Sequence, residues 1–440
     1  MLNIYDADTA LKTILHRQPP DELTVTPALE ESLATLFGER LTPSQAVDHI
    51  LQDVRLRGDA ALLEWTARLD GNRSGSLRVP ESELQEALET LPPGQRLALE
   101  EAASRIRRFH ERQPLTSWLT QELGGTLGQL VRPIRRVGLY IPAGTAPLPS
   151  SVLMSAIPAQ VAKVPEIVLA VPPQRKTGKI SAVILAAAGL LGIQEIYAVG
   201  GAQAIAALAY GSESIPPVDK IFGPGNLFVT LAKKQVFGVV GIDTLAGPTE
   251  TIVVADGQAR PDWVAADLLA QAEHDVLAAA ILITPSRALA EAVQAEVAQQ
   301  IESLSRAEII QASLGRRSGI VLTENLEQAV LLANRYGPEH LCLSVTDPWQ
   351  WVGRVQCAGG VFLGEHSFEV LGDYAAGPSH IMPTGGSARY ASPLNVLDFV
   401  HIISLIALDP QTAAQIGPFA ATIARSEGLD AHARAAEKRL

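Results

Sequence analysis

Through the first 136 residues, apolar side chains recur every three to four positions over 44–57, 60–69 and 81–111. That spacing predicts amphipathic helices, separated by Pro80 and by the break Leu91-Pro92-Pro93-Gly94. From Val137 the texture changes. Short β-rich runs at 137–141, 166–171, 195–199 and 220–222 alternate with helical segments at 152–162, 180–191 and 203–209. A second series follows, with strands at 250–255, 278–284, 319–322, 341–344 and 360–363. Its helices fall at 261–273, 287–303 and 325–335. Alternation of this kind predicts βαβ units and parallel sheets, here an α/β chain of two lobes with a cleft between them. The stretch 372–394 is rich in Gly, Pro, Ser and Thr and reads as a long ordered loop anchored by Tyr374, Ile381, Met382 and Tyr390. The tail after Asp409 reads as helices. No solenoid period or low-complexity tract stands out.

The chain has 440 residues, 47% hydrophobic and 19% charged, enough for a large core and two or three domains. A formal net charge of −12 argues against nucleic acid or an anionic membrane as partner, since both need a basic surface. Cys342 and Cys357 are the only cysteines. Two thiols outside any Cys-x-x-Cys pair make no disulfide framework and suit a reducing compartment. The N-terminus lacks a basic region followed by an apolar one, and runs such as 180–191 are too short to span a bilayer. The expectation is a cytoplasmic protein.

Chemistry is suggested by a few polar groups set into apolar surroundings. Gln271 and His274, in the apolar run 263–280, share one face of a helix with 3.6 residues per turn. An amide oxygen and an imidazole nitrogen are half of a mixed O/N metal site. Asp373 and His432 would complete an O, N, O, N set suited to zinc, manganese or a similar divalent ion. Taken singly, these residues also read as a core histidine, a helix cap and a solvated helix face. Glu339-His340, after Gly337-Pro338 and before an apolar strand, is the acid/base candidate, although a surface turn with an ion pair has the same sequence. His366, His380 and His401 read as structural or peripheral. Three βα junctions carry turn chemistry: Tyr140-Ile-Pro-Ala-Gly144, Val199-Gly-Gly-Ala-Gln203 and Phe222-Gly-Pro-Gly-Asn226. They fall at expected carboxyl ends of strands, where parallel sheets bind ligands. Gly223-Pro-Gly225 lacks the third glycine of a dinucleotide fingerprint, and the turns also read as plain connections. No H-E-x-x-H helix, nucleophile elbow or P-loop is present.

Taken together and in order, these clusters resemble the histidinol dehydrogenase family over nearly the whole chain. The resemblance rests on Val54-Arg-Leu-Arg-Gly-Asp59, Arg136-Val-Gly-Leu-Tyr-Ile-Pro142 and Ile242-Asp-Thr-Leu-Ala-Gly-Pro-Thr-Glu250. It continues through Gln271-Ala-Glu-His274, Gly337-Pro-Glu-His-Leu341, Gly372-Asp-Tyr-Ala-Ala-Gly-Pro378 and Glu427-Gly-Leu-Asp-Ala-His432. It implies oxidation of L-histidinol through the aldehyde to L-histidine with two NAD+, the closing steps of histidine biosynthesis. It implies one zinc per subunit on Gln271, His274, Asp373 and His432, with the metal positioning the substrate's imidazole and amine. His340 would be the base for the alcohol and Glu339 would activate the water that adds to the aldehyde. Thr249, Glu427, His340 and the metal ligands would contact substrate, and Tyr140, Gln203 and Asn226 the NAD. It further implies a homodimer with exchanged terminal segments, so that Glu427 and His432 complete the neighbour's site.

The implied fold is two incomplete Rossmann-like lobes with parallel sheets, plus small terminal segments used in dimerisation. The implied division is an N-terminal arm at 1–26, a first lobe from 27–136 and 246–392, a second lobe at 137–245 and a C-terminal helical segment at 393–440. Three departures from the family pattern stand out. Thr249 takes the place of a common serine, Phe368 that of a proline and Ser379 that of a frequent asparagine. A related dehydrogenase for another amino alcohol and a non-catalytic metal-binding homologue are the competing readings.

Overall fold

Strands that are apolar on both faces need cover on both faces, and two parallel sheets in this chain have it. The computed structural model describes residues 2–17, 26–72, 75–143 and 146–439. Its strands are β1 (Ile4–Asp6), β2 (Trp118–Thr120), β3 (Thr126–Pro133), β4 (Arg136–Tyr140), β5 (Glu166–Ala170), β6 (Glu195–Tyr197) and β7 (Lys220–Phe222). They continue with β8 (Gly241–Ile242), β9 (Glu250–Ala255), β10 (Ala279–Thr284), β11 (Gly319–Leu322), β12 (His340–Ser344), β13 (Gly360–Leu363) and β14 (Val400–Ala407). One sheet runs β1-β11-β10-β9-β12-β13 and another β6-β5-β4-β7-β8, every pairing parallel. β4, β9, β10 and β12 are buried at every residue.

Counted from its own first long strand, each sheet follows the order 3-2-1-4-5 and lacks a sixth strand. Each is thus an incomplete Rossmann-like lobe; in the first, β1 adds to the opposite edge. In the second sheet, alternate residues serve opposite faces. Leu139 and Leu169 pack with the helices Pro149–Val161 and Ala182–Leu190, while Tyr140, Val168 and Ala170 pack under Gly201–Tyr210.

The N-terminal helices form the outer cover of this second sheet. Pro43–Arg57 lies on Gly201–Tyr210 and Leu227–Val236 through buried Val47, Ile50, Leu51 and Val54. Pro93–His110 lies on Pro149–Val161 through Ala102 and Ile106. At about 1.5–3 kcal/mol per buried aliphatic side chain, this face is enough to fix the helices there. The packing puts residues 43–110 with the 137–245 sheet, a different grouping from the one expected from sequence. Periodicity shows which positions are apolar, and it is silent on which sheet they cover.

A third, antiparallel sheet, β14-β3-β2, joins Val400–Ala407 to Thr126–Pro133 along their full length. Sequence patterning did not mark these as strands. Their residues do not alternate cleanly, and both faces are partly open, with Ile402 at 57% and its opposite-facing neighbour Ile403 at 45% exposure. The tail then forms two helices, Pro410–Ser426 and Asp430–Glu437, packed on each other through Ala421, Ala424 and Ala433. The break between them falls at Glu427-Gly428-Leu429, so Glu427 and His432 do not share one helix. Among the described residues, no helix is long and apolar enough to cross a membrane.

Candidate active site

The helix Leu326–Tyr336 ends on Gly337, whose backbone is left-handed at φ 60°, a conformation glycine adopts without strain. Pro338 cannot continue the helix. The chain therefore turns straight into β12, carrying Glu339 to its threshold and His340 to its first residue. β12 lies beside β9 with His340 opposite Thr251. Thr249 and Thr251 are two residues apart and serve one face, and both meet this pair.

Glu339 is buried, and its Oε2 accepts from Thr249 Oγ1 at 2.5 Å and from the Glu250 amide at 3.1 Å. Burial pushes its pKa up to about 7, against the pull of His340 and these hydrogen bonds. His340 is 4% exposed. Its Nδ1 faces Thr251 Oγ1 at 3.4 Å, Glu369 Oε1 at 3.6 Å and Glu339 Oε2 at 3.9 Å. Thr251 donates to Glu369 at 2.5 Å, which leaves Nδ1 as the donor toward the threonine oxygen and Nε2 as the free acceptor. That Nε2 has no hydrogen-bond partner and lies 3.8 Å from Asp373 Oδ1.

Gln271 reaches the same place from the last turn of the helix Pro261–Ala272. Its amide nitrogen donates to Thr249 Oγ1 at 3.0 Å, so its Oε1 is the end left buried without a partner. His274, two residues past the helix, is exposed. The protein around it and the nearby His340 hold its pKa below the usual histidine range. Asp373, in the helix Glu369–Tyr374, is raised to about 6 by burial, with His340 pulling it down and Glu369 pushing it up. His380 donates from Nδ1 to the Asp373 carbonyl at 2.8 Å, and its Nε2 meets Ser151 Oγ at 3.3 Å. It thereby ties this loop to the helix Pro149–Val161 of the other lobe. Burial takes its pKa down to about 4.

Gln271, His274 and Asp373 thus gather around His340, and His432 does not join them within the chain. Glu427 and His432 are exposed on the C-terminal helix pair, where Asp430–Glu437 packs chiefly on Pro410–Ser426. Among the described residues, no group of three or more His, Cys, Asp or Glu side chains is placed to hold a metal ion. The gathered donors include two of those types, with the third position an amide. The buried Gln271 Oε1 without a partner, together with the His274 imidazole and the Asp373 carboxylate, is a mixed O/N donor set whose chemistry fits a divalent ion.

The glycine-rich turns come together elsewhere, at the carboxyl end of the second sheet, between β4 and β7 where its strand order reverses. Gly223, with φ 111°, lets the chain pass Tyr140 so closely that a Cβ would lie 2.0 Å from its carbonyl oxygen. Asn226 is exposed and caps the helix Leu227–Val236 with its Oδ1. Buried Lys233 and Asp243 brace the turn. Lys233 donates to the Gly223 carbonyl at 2.9 Å, and Asp243 accepts from the Gly223 amide at 2.7 Å. Tyr140 is 4% exposed and Gln203 fully buried. The Tyr140 hydroxyl accepts from the Gly201 amide, and Gln203 donates to Asp70. Gly144, the end of the first turn motif, lies outside the described residues. The histidine cluster, by contrast, sits at the amino end of the first sheet.

Sequence reasoning missed Glu369, Thr251 and Asp70. Glu369 stands four residues before Asp373, a same-face helical spacing that could have flagged it. Asp70 meets its partner Gln203 across 133 positions, and nothing local signals that. Of the departures, Thr249 keeps its hydroxyl in both contacts. Ser379 is buried and donates to the Met154 carbonyl, and Phe368 precedes the Glu369–Tyr374 helix.

The histidinol dehydrogenase family model matches residues 39–440. A Deinococcus radiodurans histidinol dehydrogenase is 54% identical over 421 residues, covering 95% of this chain and 96% of that protein. A Pseudomonas syringae pv. syringae histidinol dehydrogenase is 49% identical over 401 residues, covering 90% and 89%. The crystal structure of Elizabethkingia anophelis histidinol dehydrogenase superposes with a TM-score of 0.90 at 34% identity, covering 100% of this chain and 98% of that one.

Proposed function

The chain belongs to the histidinol dehydrogenase family, and from that premise we propose that its histidine cluster oxidises L-histidinol to L-histidine with two NAD+. The observation that carries this is the His340 Nε2 atom. It is buried and unpartnered, lies 3.8 Å from Asp373 Oδ1, and has Glu339 next in the chain. Gln271, His274 and Asp373, with His432 from a second copy, would hold a zinc ion, whose charge would orient the substrate's imidazole and amine.

His340 Nε2 would take the hydroxyl proton of the alcohol, and a bound NAD+ would supply the acceptor for the C–H hydride. Glu339 then accepts a proton from the water whose oxygen bonds to the aldehyde carbon. A pKa lifted toward neutrality by burial suits it to that task. In the second oxidation His340, having passed its first proton to solvent, would accept the remaining hydroxyl proton of the hydrated carbon, with another NAD+ as the hydride acceptor. Two hydrides account for the four electrons. The nucleotide would enter the crevice formed by the turns at Tyr140, Gly223 and Asn226, with Gln203 beneath it.

A homodimer accounts for the exposed apolar side chains of the third sheet and the tail, among them Ile402, Ile406, Phe419 and Ile423. It would also bring Glu427 and His432 to the neighbour's cluster. The test is direct. Purified protein, L-histidinol and NAD+ are followed by NADH absorbance, with and without a chelator. About two NADH per histidinol, lost on chelation and restored by zinc, is the expected result. Turnover of another amino alcohol but not histidinol would assign a different substrate, and no turnover of either would make this a non-catalytic homologue.

A further inference from the structure

We propose that Arg17 is a positioning residue for Glu339, serving the second oxidation more than the first; this rests on the reading of Glu339 as the base that activates water. Arg17 ends the described N-terminal segment, which β1 ties to the first sheet. Its guanidinium forks onto Glu250, with Nη1 to Oε1 at 2.6 Å and Nη2 to Oε2 at 2.7 Å. Its Nε donates to the Tyr336 carbonyl at 2.8 Å and Nη2 to the Gly337 carbonyl at 3.2 Å. The guanidinium carbon lies 3.9 Å from the centre of the Tyr336 ring.

These partners are the two chain segments that hold Glu339. Tyr336 and Gly337 close the helix whose end launches Pro338-Glu339, and their carbonyls carry the negative end of its dipole. Glu250, 1% exposed, has its backbone N–H on Glu339 Oε2. A planar fork that reaches a carboxylate on one segment and two carbonyls on the other fixes their spacing in a way a lysine point charge cannot. Arg317 adds a contact to Glu250 at 3.4 Å, but among the described residues its hydrogen bonds go to Glu250 and the Leu277 carbonyl and not to the carbonyls of the helix end.

His340 has supports of its own in Thr251 and Glu369. Loosening the Arg17 bracket should displace the Glu339 carboxylate while leaving the His340 ring in place. The aldehyde-to-acid step should therefore slow more than the alcohol-to-aldehyde step. A purely structural role would slow both alike.

The experiment uses the full-length zinc-loaded enzyme with NAD+, offering L-histidinol and L-histidinaldehyde separately, in Arg17→Ala, Arg17→Lys and Glu339→Gln variants. For Arg17→Ala the expected result is a fall of about tenfold or more in kcat with the aldehyde. The first hydride transfer, read in a single turnover, should change less than about threefold, and KM for histidinol should hold. Guanidinium salt at tens of millimolar should restore the aldehyde step. Arg17→Lys keeps the charge against Glu250 and should show a smaller imbalance of the same sign, so the comparison survives if Arg17→Ala does not fold. Equal loss in both steps in Arg17→Lys, or an imbalance in Glu339→Gln with none in the Arg17 variants, overturns the proposal. No imbalance in Glu339→Gln overturns the reading of Glu339 itself.

Discussion

Thr249→Val is a nearly isosteric change that removes the hydroxyl joining the two halves of the site. In the wild type that hydroxyl donates to Glu339 Oε2 at 2.5 Å and accepts from Gln271 Nε2 at 3.0 Å. A hydrogen bond to a charged group is worth about 1.5–3 kcal/mol and a neutral one about 1 kcal/mol. The bond to Thr249 is one of the contacts that hold the Glu339 pKa down against burial. At 1.36 kcal/mol per unit, losing it raises that pKa by roughly one to two units from about 7. Glu339 must be ionised to act as a base, so the rising limb of the pH–rate profile for aldehyde oxidation should move to higher pH by that amount. At neutral pH, where the wild-type carboxyl is about half ionised, the step should fall about 5- to 50-fold. The freed Gln271 amide can also rotate, so metal affinity should weaken. Thr249→Ser keeps the hydroxyl and should stay within about threefold of wild type. The assay is aldehyde-dependent NADH formation from pH 6 to 10 for the three proteins. A Thr249→Val limb that coincides with wild type, at wild-type rate, would refute the assignment of Glu339 as the titrating base.

Other outcomes follow from separate parts of the structure. His340→Asn should cut kcat by about 10²- to 10⁴-fold while bound zinc, measured by atomic absorption, stays near one per chain; a normal rate would remove His340 as the base. Lys233→Met removes the amine that braces Gly223, so KM for NAD+ should rise with little change in metal content; an unchanged KM would place the nucleotide elsewhere. Ile402→Asp with Ile406→Asp puts charge on exposed apolar positions and should yield monomers by light scattering with much reduced activity. Asp70 is raised to about 6 by burial, so the folded state holds its proton more tightly than the unfolded chain. Its contribution is fully present below about pH 4 and is lost as pH rises through about 6. Asp70→Asn should therefore raise Tm relative to wild type at pH 8, by the equivalent of up to about 3 kcal/mol, and change it little at pH 4. An equal shift at both pH values would contradict the burial argument.

The parallel lobes were legible because β9, β10 and β12 are continuous apolar runs between helices of clear period. The ends of elements were less so. His340 falls inside β12, one residue earlier than the apolar run suggests, because a histidine facing Thr251 in the ladder does not look like strand sequence. β3 and β14 were invisible because they pair with each other across more than 260 positions and leave both faces half open. Which sheet the helices between Pro43 and His110 cover is not legible either, because a helix's apolar stripe does not name its partner. In the candidate site, residues carried by short motifs can be nominated from sequence and residues recruited across the fold cannot. Glu339, His340, Gln271 and Asp373 announce themselves by neighbours in the chain. Arg17 reaches Glu250 across 233 positions, and its own surroundings, Leu15-His16-Arg17, hold no hint of it.

A functional centre drawing His340 from one chain and His432 from another is best tested by mixing two inactive proteins, His340→Asn and His432→Asn, under conditions that allow subunit exchange. Each mixed dimer would contain one intact site, so an equal mixture should recover about a quarter of wild-type NADH production. If His432 served its own chain's cluster, every site in the mixture would carry a lesion, and activity would stay at the level of the separate variants.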